Sequence, residues 1–148
     1  MNPTVLAMIA VVFGGAATAL QAPTNARMMT AVGSPVNAAF VSFAVGTAAL
    51  GILAVLLQAR PDMAASRALP WYAWVGGLYG AIFVVAAAWG VPRLGVATTI
   101  IMMVAGQLLL SIGLDHFGAM GMPKQPISWG RVAGVLMVLG GVLMVRRF

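Results

Sequence analysis

Five stretches of this chain are apolar for long enough to cross the roughly 30 Å hydrocarbon layer of a bilayer, which takes about 20 helical residues. They cover residues 3–31, 35–57, 70–89, 94–116 and 128–146. The gaps between them hold turn signals: "GSP" at Gly33 to Pro35, "ARPDM" at Ala59 to Met63, "GVPR" at Gly90 to Arg93 and "GMPKQP" at Gly121 to Pro126. A segment that crosses hydrocarbon must satisfy its backbone hydrogen bonds internally, and a helix does so alone. The expected fold is an all-α integral membrane protein, a bundle of five transmembrane helices in one transmembrane domain over residues 1–148.

Composition excludes most other classes. The chain is 62% hydrophobic and 7% charged, with a mean hydropathy of +1.04, whereas soluble domains carry roughly 25% charged residues. Its net charge of +6 would suggest nucleic acid in a soluble chain. Here the eight basic residues are scattered, which reads as interfacial anchoring, and no nucleic-acid partner is expected. The absence of cysteine rules out disulfides, thiolate metal sites and cysteine nucleophiles. His116 cannot build a metal site by itself, so neither metal nor cofactor is expected. No Ser-His-Asp constellation occurs at usable spacing, and "GGLYG" lacks the strand and helix of a phosphate loop. The chain is not expected to be an enzyme.

The first apolar run ends in "ATALQA", like a signal peptide, but no Lys or Arg precedes Arg27. It is expected to remain as the first helix. Pro23 removes a backbone donor and favours a kink, freeing carbonyls one turn back that need protein or water around them. Gln21 and Asn25 flank it. Either they face a wet cavity or the segment has already reached the interface.

The stretch "GQLLLSIGLDHFG", Gly106 to Gly118, poses the sharper question of why an apolar helix keeps an acid. Gln107, Ser111 and Asp115 are spaced by four and share one face. Polar groups within a membrane usually point into a bundle or a water-filled cavity and mark pathways, which makes Asp115 a candidate proton carrier. The alternative is that Asp115 sits at the interface, because a helix from Leu94 to Asp115 already covers roughly 31 Å. His116 diverges from Asp115 by about 100° along the helix, so the two form no dyad by themselves. It stands as a proton relay or an interfacial hydrogen-bonding residue.

Small residues at four-residue spacing let helix backbones approach closely in lipid. Gly76 with Gly80 and Gly130 with Gly134 form GxxxG pairs, and Ala38, Ser42 and Gly46 repeat the spacing. With Gly140 and Gly141 of the last run, these glycines are the expected helix-packing or dimer positions. Trp71, Trp74, Trp89 and Trp129 fall near helix ends, where aromatic belts belong, with Trp71 a further candidate for contacting a cation. Five spans would put Arg60, Arg67, Lys124 and Arg131 on one side and Arg27, Arg93, Arg146 and Arg147 on the other. Four against four gives the positive-inside rule nothing to act on, so copies are expected to insert both ways round.

The runs "LQAPTNA", "GSPVNAAFVSFAVGTAAL", "PWYAWVGGLYGAIFV", "PRLGVATT", "GQLLLSIGLDHFG" and "RVAGVLMVLGGVLMV" together cover nearly the whole chain. In them the sequence resembles the YdcZ-like family of half-length proteins in the drug/metabolite transporter superfamily. The resemblance implies one five-helix half-repeat of a ten-helix transporter in the bacterial inner membrane. It also implies an inverted pair of subunits, a second copy or a paralogue, around one substrate cavity. The last helix is similar to the dimer-forming helix of small multidrug resistance proteins. Those proteins carry a glutamate in their first helix, where this chain has Gln21 and Asn25.

The leading expectation is a secondary transporter of a small metabolite or organic cation working by alternating access. Gln21, Asn25, Gln107 and Ser111 would be its cavity groups, Asp115 the coupling or cation-pairing group and His116 an accessory. A passive pore and a non-transporting accessory subunit are the alternatives.

Overall fold

A computed structural model of the chain describes residues 2–147. All regular structure among them is helical: α1 (Pro3–Val32), α2 (Pro35–Leu56), α3 (Met63–Arg67), α4 (Gly76–Leu94), α5 (Val96–Phe117) and α6 (Trp129–Arg147). Single 3-10 turns at Trp71–Trp74 and Ala119–Gly121 precede α4 and α6. Four helices, α1, α2, α4 and α5, are long and apolar enough to cross a membrane. The apolar part of α6, Trp129–Val145, is shorter.

The helix starts follow from local chemistry. Asn2 Oδ1 accepts the Thr4 amide at 2.9 Å and Ser34 Oγ the Asn37 amide at 3.0 Å, each just ahead of a proline at the first helical position. Asp62 caps α3 by accepting the Ala64 and Ala65 amides, both at 3.0 Å. α1 runs unbroken through Pro23. The third apolar run starts its helix at Gly76, because Pro70 and the aromatic turn after it take up the first residues. It then continues past Trp89 to Leu94 with Pro92 inside. Near that end Arg93 Nη1 donates to the Trp89 carbonyl at 2.6 Å.

Gly95 alone separates α4 from α5, at φ 80° and ψ 162°, a backbone region essentially confined to glycine. Gly118 ends α5 in the left-handed conformation and donates to the Asp115 carbonyl. A Cβ there would stand 3.2 Å from the Met122 carbonyl oxygen.

The chain divides into two compact units, residues 1–93 and 94–148. In the first, α1 packs on α2, and burial concentrates near their connection, at Ala22, Asn25 and Ala26 facing Ala38 and Ala39. Away from it, residues 3–17 of α1 and 47–56 of α2 are exposed throughout. The same unit seats the Phe43 ring of α2 over Gly80 of α4, where a Cβ would lie 3.1 Å from Cζ. In the second unit α6 packs on α5. Its half-buried positions include Arg131, Gly134, Val138 and Gly141, a helical stripe.

Candidate functional site

The antiparallel α1–α2 pair brings Gln21 beside Ser42, and Gln21 Nε2 donates to Ser42 Oγ at 3.3 Å. Beyond that bond a cleft of about 200 Å³ opens between Gln21, Ser42, Phe43, Gly46, Thr47 and Leu50. Asn25 lies one turn along α1 on the same face. It is 2% exposed, and its Nδ2 has no hydrogen-bond partner among the described residues. Ser42 was visible in the sequence only as a small residue at packing distance. Its pairing with Gln21 depends on helix register, which spacing within one helix does not reveal.

Gln107 and Ser111 are exposed on α5. The Ser111 hydroxyl donates to its own helix at the Leu108 carbonyl, 3.0 Å away. The Gln107 amide has no hydrogen-bond partner among the described residues. Asp115 is separated from them in environment. It accepts from Arg131 Nη1 at 3.1 Å, with side-chain exposures of 32% for Arg131 and 39% for Asp115. The same guanidinium donates to the backbone and side-chain oxygens of Gln125, while the Gln125 amide donates to the Asp115 carbonyl at 2.8 Å. His116 Nδ1 accepts the Ile127 amide at 3.2 Å. Asp115 and His116 therefore fasten the α5–α6 connection back onto the end of α5. Adjacent residues do this through different partners because their side chains diverge around the helix.

Among the expected packing glycines, Gly80 meets Phe43, whereas nothing lies within 4 Å of a Cβ built at Gly76, Gly130, Gly134, Gly140 or Gly141. Trp71, Trp74, Trp89 and Trp129 are all exposed near helix ends or in the 3-10 turn, as a belt requires. Among the described residues, the Arg93 guanidinium lies 4.2 Å from the centroid of the Trp89 ring. The side chain of Arg146, one of the eight basic residues in the charge balance, lies outside the described residues.

Four apolar membrane-length helices and no strand among the described residues define a multi-pass helical membrane protein. The chain belongs to the family described as "Putative inner membrane exporter, YdcZ", whose sequence model matches residues 6–144. It is 38% identical over 77 residues to the "Inner membrane protein YdcZ" of Escherichia coli (strain K12), an alignment that covers 52% of each chain. The aligned part of the chain thus spans about half the length of that relative. No solved structure matches. That description is of an exporter family and not of an enzyme family, and the protein is a multi-pass inner-membrane protein.

Proposed function

We propose that the chain is a secondary transporter that moves a small solute across the inner membrane by alternating access, with its cavity formed between two oppositely inserted copies. The observation that carries this reading is Gln107, a primary amide midway along the apolar α5, exposed and without a partner among the described residues. Facing lipid, such an amide loses its water without compensation, a cost of roughly 1–3 kcal/mol or more. A wet cavity or a second copy removes that cost, and membrane proteins place polar groups accordingly.

The exporter family and the four-against-four basic residues support the same arrangement. Two equivalent, inverted halves can exchange conformations and so expose one site to either side in turn. Each copy is then one five-helix half, with α6 as its fifth span. Gln21, Asn25, Gln107 and Ser111 contribute to the cavity walls, and the open Gly76, Gly130, Gly134, Gly140 and Gly141 positions offer close approach to the other copy. Asp115 is the coupling group in this reading, through its ion pair with Arg131 at the connection to α6. Small metabolites and organic cations, the two substrate classes the superfamily resemblance implies, demand different things of the site.

The chain has no cysteine, so Met122→Cys in the exposed α5–α6 connection is a clean reporter of orientation. A membrane-impermeant maleimide applied to spheroplasts should label about half of the copies. Labelling of all or none overturns the self-inverted pair.

A further inference from the structure

Within the transporter reading above, we propose that the cleft between α1 and α2 binds an uncharged solute bearing a carbonyl, amide or hydroxyl group on one side and hydrocarbon on the other. The cleft holds about 200 Å³, on the order of seven water molecules by liquid volume. Phe43 and Leu50 give it an apolar wall, while Gln21, Ser42 and Thr47 give it hydrogen-bonding groups. The Gln21–Ser42 bond uses Gln21 Nε2 as donor, which leaves the Gln21 Oε1 acceptor and the Ser42 O–H donor for a ligand.

The Gln21–Ser42 bond closes one end of the cleft, which runs from there toward Thr47 and Leu50. Asn25 lies one helical turn to the other side of Gln21, opposite the fully buried Ala38, and is not among the residues that line the cleft. The polar end of a ligand is therefore received by Gln21 and Ser42 alone, its carbonyl or hydroxyl oxygen facing the Ser42 hydroxyl and its donor facing Gln21 Oε1.

Charge decides the ligand class. No charged residue lines the cleft. The chain has two acidic residues, and both are committed: Asp62 to capping α3 and Asp115 to Arg131. A cation in the cleft would have only the Phe43 ring to face. That is worth about 0.5–2 kcal/mol, far less than the desolvation of an unpaired charge. An anion fares no better, because Arg27 is two residues from Asn25 and points about 200° around the helix from it.

The test uses Gly46→Cys, a cleft-lining position with nothing within 4 Å of its Cβ, in the otherwise cysteine-free chain, reconstituted in proteoliposomes and alkylated with N-ethylmaleimide. Three probes share one hydrocarbon tail: hexanamide, hexanoate and hexylammonium. Hexanamide should slow alkylation at least threefold at saturation, with no protection from the two ions and none at a Val55→Cys control outside the cleft. Equal or better protection by hexylammonium or hexanoate, or no protection by hexanamide, overturns the proposal. Adding Gln21→Ala, which removes the acceptor at the closed end of the cleft, should abolish protection. Protection intact in that variant overturns the assignment of the polar end to Gln21. Half-labelling at Met122→Cys with no protection at Gly46→Cys refutes this site alone. Protection with single-sided labelling refutes the inverted pair alone.

Discussion

Arg131 of α6 donates to Asp115 of α5 across 3.1 Å, and through Gln125 the same guanidinium holds the connection between the two helices. The acid in the apolar "GLDHFG" stretch thus joins one helix to the next. Both side chains remain about a third exposed, so the pair is screened and modest in energy.

A double-mutant cycle on Asp115→Ala and Arg131→Ala should return a coupling of about 0.5–1 kcal/mol by thermal unfolding in detergent. Strict additivity of the two variants would mean that the pair does not clamp the helices.

The same connection should loosen when either of its two acceptors is removed. Asp115 accepts from Arg131, and His116 Nδ1 accepts from Ile127. Asp115→Ala or His116→Ala should raise maleimide labelling at Met122→Cys above the parent's. Labelling in those variants that matches the parent would show that neither bond restrains the connection.

Gly80 and Gly76 belong to one GxxxG pair but differ in surroundings, and their substitutions should differ too. Gly80→Leu drives a side chain into the Phe43 ring and should cost about 1–3 kcal/mol, with partial recovery in Phe43→Ala. Gly76→Leu meets open space on this chain and should leave the unfolding midpoint of the isolated protomer near the parent's. Equal losses at both glycines would contradict the seating of the Phe43 ring over Gly80.

Helices were legible where a single rule governed them. The prolines at the first turns of α1 and α2, each with a capping residue before it, and the long apolar run of α5 carry their own signals. The third apolar run was less legible, because Trp71–Trp74 is as apolar as a span yet forms a 3-10 turn, and α4 carries Pro92 inside it. In the candidate site the polar residues themselves were visible, since Gln21, Asn25, Gln107, Ser111 and Asp115 stand out against apolar neighbours. Their partners were not. In the sequence Arg131 reads only as a basic residue on one side of the membrane and Ser42 only as a small residue, because inter-helix pairing depends on rotation and register.

Gln107 is where the account is most exposed, since everything said of a shared cavity rests on that amide not facing lipid. The decisive measurement is alkylation of Gln107→Cys in proteoliposomes by a water-soluble, charged thiol reagent, followed by cross-linking with a short bismaleimide. The account predicts that the charged reagent reaches the thiol and that the bismaleimide joins two copies. Reaction only with a lipid-soluble maleimide, and no joined copies, would put residue 107 against lipid and contradict the inverted-pair cavity.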